Sequence, residues 1–83
     1  MPILPTIHLN GTSRASLQSG YDTAANSLHD FITHWGQIEF NPRDYYVTPG
    51  AWEAARDERD AMASKIRDVQ AYLQDIREHL YND

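Results

Sequence analysis

Apolar residues recur at alternating steps of four and three along the first half of this chain. From position 17 to position 38 they follow the heptad spacing that lines one side of an α-helix. They are Leu17, Tyr21, Ala24, Leu28, Phe31, Trp35 and Ile38. Just before them, Gly11-Thr12-Ser13 interrupts extended backbone and offers hydroxyls that can cap a helix. Gly36 is typical of a helix end. The spacing therefore predicts a helix over residues 13–36.

A second seam of the same kind follows Pro49-Gly50. Its members are Trp52, Ala55, Arg59, Met62, Ile66, Val69, Leu73, Ile76 and Leu80. All but Arg59 are apolar, and the pattern predicts a helix over residues 51–80. An isolated guanidinium in a dry core would be costly. We therefore expect Arg59 either to lie over a frayed seam with its head in water, or to face a polar pocket where it pairs with Asp44 or binds a phosphate.

The segments outside the two seams are an arm and a loop. Residues 1–12 are predicted to be an extended arm, because Pro5 forbids a helix interior and Ile7 and Leu9 alternate with polar residues in a weak strand signal. Residues 37–50 form a loop long enough for the second helix to turn back on the first. All 83 residues are predicted to form a single small domain, an all-α antiparallel helical hairpin with a short extended N-terminal arm.

Two helices alone enclose only a thin core. Each seam covers one side of its helix, and a second helix of about 45 Å would overhang the first. Domains of this size often need a staple or a partner, and the chain has no cysteine for a disulfide. We therefore expect the hairpin to assemble into a homo-oligomer.

The charge balance excludes one class of partner. The net charge is -5, from seven Lys and Arg against twelve Asp and Glu. Sequence-blind binding to duplex nucleic acid needs a basic surface, so we expect none. No apolar run is long enough to span a bilayer, and Met1-Pro2-Ile3 opens no signal peptide. Together with the absence of cysteine, these features predict a cytoplasmic protein with no membrane partner.

The loop NPRDYYVTPG carries Arg43, Tyr45 and Tyr46 between its two prolines. Exposed aromatic area is usually hidden, so one interpretation is that the tyrosines cap the open end of the hairpin. They would then pack on Trp35, Phe40 and Trp52. The alternative is that an aromatic face stacks on a nucleobase while the guanidinium binds a phosphate. Both interpretations hold together if one tyrosine is buried and the other is presented.

The turn from Asn10 to Arg14 also has two interpretations. Free backbone N–H groups at a helix start favour an anion, and the hydroxyls of Thr12 and Ser13 add donors. An ordinary cap on an ordinary turn explains the same residues. Neither a Walker nor a Rossmann glycine loop is present.

No sequence motif for catalysis or metal binding occurs. His29 and His34 are five residues apart and diverge on a helix, and neither an HExxH motif nor a nucleophile motif is present. We therefore predict no metal site, no cofactor and no enzymatic activity.

Two short motifs carry a resemblance that covers most of the chain. IHLNGTS at residues 7–13, a helix, RDYY at residues 43–46 and the charged helix beginning AWEAARDER resemble a family of small phage and prophage proteins. The general shape is also similar to helical phage sponges, oligomers that sequester the cyclic nucleotide signals of defence systems such as CBASS and Thoeris. Within the matched motifs, the resemblance implies ligand contacts at Asn10, Thr12, Ser13, Arg43, Tyr45 and Tyr46. Arg59 is added to this set from the seam.

The resemblance implies a function in the cytoplasm of a bacterial host. The expected protein is a non-enzymatic phage counter-defence protein that binds a cyclic nucleotide-type signal in pockets between subunits. If the helices pack antiparallel, the two motifs lie at opposite ends of one chain, so a shared pocket needs two copies. The alternative is an inhibitor of a host defence protein, of the anti-CRISPR or anti-restriction type, that docks through the acidic second helix and the tyrosine loop. A structural or regulatory phage subunit is a further possibility.

Overall fold

A computed structural model describes residues 2–82 and contains two long helices. Helix α1 is Arg14–Gln37, a short 3-10 turn is Pro42–Asp44, and helix α2 is Ala51–Tyr81. The chain is 72% helical, and α1 and α2 pack against each other, which confirms the all-α class. Residues 2–82 contain no strand. The weak strand signal in the arm therefore stays unpaired, because this part of the chain offers no neighbouring strand.

Local chemistry explains where the helices begin. The Ser13 hydroxyl accepts a hydrogen bond of 3.1 Å from the Ser16 amide, so it caps α1. Gly50 precedes α2 with a φ of 80°, a backbone conformation that glycine adopts without strain. The spacing predicted helices over 13–36 and 51–80. The start of α2 is as predicted, and the other three bounds each lie one residue later.

The helices run in opposite directions, which gives a hairpin-like fold. At one end, Arg14 and Gln18 of α1 donate hydrogen bonds of 2.6 and 3.1 Å to the Leu80 carbonyl near the end of α2. At the other end, Arg59 of α2 donates to the Trp35 carbonyl at 3.1 Å. Each carbonyl lies in the last turn of its helix, where intrahelical partners run out, so each helix caps the other.

The packed side of α1 coincides with the heptad seam only in part. Its partly buried apolar residues are Leu17, Tyr21, Ala25, Leu28, Ile32 and Trp35. Their average step is about 3.6 residues, the period of a straight helix, whereas a heptad needs supercoiling to stay in register. Ala24, Phe31 and Ile38 are therefore rotated out to solvent. On α2, Ala63 is partly buried while Met62 and Val69 are exposed for the same reason.

The core is thin and lies at one end. Ile76 and Leu80, each 1% exposed, are the buried apolar side chains among residues 2–82. The arm returns to this end of α2, where the Pro5 carbonyl accepts a hydrogen bond of 2.8 Å from His79 Nε2. Leu4 lines a cavity with His79. Full burial is thus reached in the last two turns of α2, the part of the helix that also contacts the arm through His79.

Candidate functional site

The tip of the hairpin is closed by three aromatic rings. The centroid of Phe40 lies 4.7 Å from that of Trp52 and 5.7 Å from that of Tyr45, and Tyr45 lies 6.0 Å from Trp52. These are the tilted and edge-to-face arrangements that aromatic pairs prefer. Tyr45 therefore occupies the capping position that one interpretation of the loop predicts.

Arg59 is held against this aromatic cluster. Its guanidinium carbon lies 4.7 Å from the centroid of Phe40 and 5.1 Å from that of Trp35. The same group donates to the Trp35 carbonyl. Cation–π contact and this hydrogen bond explain a charge at a seam position without an acidic partner. Among residues 2–82, Arg59 forms no ion pair with Asp44.

Tyr46 points the opposite way from Tyr45. The 3-10 turn is fixed by hydrogen bonds from the Asp44 amide to the Asn41 carbonyl at 3.1 Å and from the Tyr45 amide to the Pro42 carbonyl at 3.0 Å. As the chain leaves this turn, Tyr45 enters the cluster and Tyr46 becomes 76% exposed. Tyr45 ends the 3-10 turn with φ -125° and ψ -2°, and this turn brings its ring, not that of Tyr46, against Phe40 and Trp52.

Two side chains at the tip lack a partner among the residues that the structure describes. Arg43 is exposed on the 3-10 turn and makes no hydrogen bond, ion pair or ring contact. Tyr46 likewise has no hydrogen bond or ring contact. Val47, 80% exposed, follows directly. The tip therefore presents a guanidinium, a phenol ring and an apolar side chain to solvent.

The turn before α1 forms the second candidate region. The Gly11 amide donates to the His8 carbonyl at 3.1 Å, and a Cβ on Gly11 would lie 2.7 Å from His8 Nε2. Glycine thus allows the His8 ring to lie over this turn. The Ser13 hydroxyl is used as the helix cap. Asn10 and Thr12 are exposed and make no side-chain hydrogen bond within residues 2–82.

The two candidate regions lie at opposite ends of the molecule. The start of α1 contacts Leu80 at the far end of α2, while Tyr45 contacts Trp52 at the beginning of α2. The molecule is 61 Å long and 22 Å wide. One copy therefore brings together Arg43, Tyr45, Tyr46 and Arg59 at the tip, and separately Asn10, Thr12 and Ser13 at the other end.

A polar cluster that sequence reasoning missed joins the helices near their other end. The Asp22 carboxylate accepts hydrogen bonds from the Tyr81 hydroxyl and from Arg77 Nε, the latter at 2.9 Å. The two hydrogen bonds hold the pKa of Asp22 below its usual value, and the same carboxylate raises the pKa of Tyr81. Nothing in the spacing of residues so far apart in sequence signals this contact.

Tyr21 of α1 and Tyr72 of α2 form a second polar contact between the helices, on the same half of the molecule. Burial raises the pKa of Tyr21, and the hydrogen bond to Tyr72 adds to the effect. Tyr72 is 47% exposed, so the pair lies at the edge of the helix interface. Tyr21 directly precedes Asp22, so this pair lies next to the bond between Asp22 and Arg77.

Grooves along the hairpin are open and shallow. One, of about 280 Å³, lies beside the tip and is lined by Trp35, Ile38, Glu39, Phe40, Tyr45, Ala55, Glu58, Arg59 and Met62. Another, of about 350 Å³, lies on the opposite side of the helices and is lined by Ile32, Trp35, Gly36, Ala63, Ile66, Arg67 and Gln70. Neither groove includes Arg43 or Tyr46, so the exposed pair at the tip has no concave pocket of its own chain.

Comparison with known proteins leaves the function to be argued from these residues. No family model, curated protein or solved structure matches the chain. Within residues 2–82, no three His, Asp or Glu side chains are grouped closely enough to hold a metal ion. Neither helix in this part of the chain is long and apolar enough to cross a membrane.

Proposed function

We propose that this protein is a non-enzymatic phage counter-defence protein that binds a cyclic nucleotide-type immune signal between subunits. The proposal is supported by the resemblance of residues 7–13 and 43–46 to small phage proteins. The structural observation that carries it is the exposure of Arg43 and Tyr46, which stand at the tip without partners in the described chain. Sequestration works by mass action, because enough tight sites lower the concentration of free signal.

The chemistry of the exposed residues suits the parts of a cyclic oligonucleotide. The Tyr46 ring can stack on a base, a contact worth about 1–3 kcal/mol. The Arg43 guanidinium can bind a phosphate through two hydrogen bonds. Asn10 and Thr12 supply groups for ribose hydroxyls or a second phosphate. Because these two pairs lie at opposite ends of one chain, a complete site takes one pair from each of two copies.

The other predicted contacts have structural duties that position the site. Tyr45 packs on Phe40 and Trp52, which orients the loop so that Tyr46 faces outward. Ser13 caps α1. Arg59 holds the aromatic cluster in place. A role for these three in direct ligand contact stays a prediction, and the proposal rests on the exposed residues.

Binding to a defined panel tests the proposal. Native mass spectrometry, followed by calorimetry on any binder, would use cyclic dinucleotides, cyclic trinucleotides and cyclic ADP-ribose isomers. We expect whole-number equivalents of one compound per oligomer. Arg43→Ala and Tyr46→Ala should each lower the affinity for that compound by about 10-fold or more, because each removes one charged or stacking contact. Circular dichroism should show unchanged helicity.

Val47→Ala is the matched control, since it shortens an equally exposed side chain of the same loop. It should bind like the unaltered protein. Absence of any binder in the panel would overturn the proposal. So would binding that Arg43→Ala and Tyr46→Ala leave unchanged.

A second candidate function is inhibition of a host defence protein. The observation that favours it is that Tyr46 and Val47 are 76% and 80% exposed on a convex tip, since Tyr and Arg dominate binding hot spots. In that case no compound of the panel binds. Charge reversals on α2 away from the tip groove, such as Asp60→Lys and Asp68→Lys, would then abolish inhibition of a CRISPR or restriction activity in vivo. Under the first proposal they leave ligand affinity unchanged.

A further inference from the structure

The apolar residues left over from the heptad seam form a surface along one side of the hairpin. We name this surface the heptad face, and its members are Ala24, Phe31, Ile38, Met62 and Val69. Ile38 and Met62 line the same groove, and none of the five lines the groove on the opposite side. Phe31, Ile38 and Val69 are 47%, 55% and 49% exposed. The residues of each row are seven apart, and Ile38 follows directly on the last residue of α1, so each row stays on one side of its helix.

Helix α1 carries few charges. It carries three charged residues, of which Arg14 is bonded to Leu80 and Asp22 to Arg77. Asp30 is the charged residue of α1 that remains exposed. Most charges of the chain lie on α2. The α1 row from Ala24 to Phe31 therefore has few charges beside it, as the core of an interface does, whereas Glu39, Glu58 and Arg59 lie beside Ile38 and Met62 at its tip end.

We propose that the heptad face binds a second copy of this chain across a two-fold axis beside Phe31, which makes an antiparallel four-helix bundle. A heptad row is the pattern by which one helix packs on another, so the occupant is helical. The heptad face itself runs for about 21 Å along α1. The side of the hairpin that carries it is about 45 Å long and 22 Å wide, which sets an upper limit of about 1,000 Å² per copy. A standard interface buries about 800 Å² per partner.

The register of the face favours a second copy over an unrelated helical partner. Ala24 and Ile38 are each seven residues from Phe31. A two-fold axis at Phe31 therefore sets the small Ala24 side chain of one copy against the larger Ile38 side chain of the other. A two-fold axis that crosses α2 between positions 65 and 66 sets Met62 of one copy against Val69 of the other. Contacts between Trp35 and Arg59, and between Asp22 and Arg77, place those positions across from Phe31. One axis therefore pairs both rows.

The same axis brings the two candidate regions together. It lies about 17 residues, or about 25 Å, from the start of α1. In the opposite direction it lies about 14 residues, or about 21 Å, from the start of α2 at the tip. In the dimer, Ser13 of one copy thus comes level with the tip of the other. This connection rests on the proposed function, whereas the dimer itself rests on the heptad face.

Solution mass tests whether the face is an interface. Light scattering after gel filtration, or sedimentation equilibrium, should give a dimer or a multiple of it for the unaltered protein. Phe31→Lys and Met62→Lys should weaken association by at least 10-fold while circular dichroism keeps the helical signal. Val47→Lys is the control, because it charges an equally exposed apolar side chain outside the face. A monomer at about 100 µM unaltered protein would overturn the inference.

Cysteine cross-linking tests the axis, since the chain has no cysteine of its own. Phe31→Cys lies on the axis and should form a covalent dimer under mild oxidation. Ala24→Cys alone should not, because the axis separates its two copies by 14 residues, or about 21 Å. A mixture of Ala24→Cys and Ile38→Cys should form the mixed dimer. An oligomer that cross-links through Ala24→Cys but not Phe31→Cys would overturn the proposed axis.

The dimer and the proposed function fail in different measurements. Cross-linking through Phe31→Cys with no response to the nucleotide panel would leave the dimer and remove the ligand. Ligand binding that depends on Arg43 and Tyr46, with no cross-link through Phe31→Cys, would leave the function and remove this interface.

Discussion

The Asp22 carboxylate is the polar group most closely tied to the packing of the two helices. It accepts hydrogen bonds from Tyr81 and from Arg77, both at the far end of the chain. These bonds favour the charged form and lower its pKa. A carboxylate with a lowered pKa stabilises the folded state above its unfolded pKa. That contribution is lost as the pH falls through the folded pKa.

Asp22→Asn should therefore be less stable than the unaltered protein at pH 7, with the difference closing at acid pH. Thermal melts followed by circular dichroism from pH 7 down to pH 2.5 measure this. Asp30→Asn is the control, because Asp30 is an exposed acid of the same helix without an ion pair in the described chain. Equal melting temperatures for Asp22→Asn and the unaltered protein at pH 7 would contradict the prediction.

Arg59 illustrates a second effect at the residue scale. Its position in the seam identifies it as unusual, and sequence alone left it between solvent and a polar pocket. The structure gives a third outcome, in which the rings of Trp35 and Phe40 take the guanidinium. Aromatic faces are partly negative, so a cation can lie against a small core without an acidic partner.

At the scale of the elements, two glycines have opposite effects on helix stability. Gly50 has a φ of 80° at the start of α2, where any Cβ is strained. Gly20 lies within α1 with open space around it, where alanine is the better helix former. The same substitution should therefore change stability in opposite directions at the two positions.

Gly50→Ala should destabilise the protein by about 1 kcal/mol and Gly20→Ala should stabilise it by about as much. For a domain of this size that corresponds to about 4–8 °C in melting temperature, downward and upward respectively. Differential scanning calorimetry at one protein concentration measures both. A rise on Gly50→Ala would show that α2 does not start through the left-handed conformation.

At the scale of the whole molecule, the hairpin buries too little for much stability on its own. Two side chains, Ile76 and Leu80, are fully buried in the described chain, and both lie where the arm covers α2. The other apolar residues at the contact between α1 and α2 are only partly buried. A small domain of this kind gains most from association, because the second copy covers apolar area that the chain leaves open.

The melting temperature should therefore rise with protein concentration, by a few degrees for each tenfold increase, as expected for a folded dimer that unfolds to monomers. Melts from about 5 to 500 µM measure this. Phe31→Lys, which charges the heptad face, should melt lower and lose the dependence. A constant melting temperature over this range would contradict a dimer held by that face.

The sequence by itself determined the helices and their order. Periodic apolar residues, a serine cap before α1 and a glycine before α2 act over a few residues, so local pattern is enough to predict them. It also identified the loop residues as unusual. The arm is non-helical, as its proline predicted, but its strand signal was misleading. A strand needs a neighbouring strand to pair with, and no local pattern supplies one.

Only the tertiary structure decided which side chains face inward. A straight helix completes one turn every 3.6 residues, whereas a heptad repeat averages 3.5 residues per turn. The line along which α1 contacts α2 therefore drifts away from the heptad seam, so that Ile32 enters the interface and Phe31 leaves it. Tyr45 rather than Tyr46 is covered because Phe40 and Trp52, from different segments, meet at the tip. The bond between Asp22 and Arg77 joins residues that are neighbours only after the chain has turned back. Periodicity is a property of each helix alone, whereas its rotation is set by the surface against which it packs.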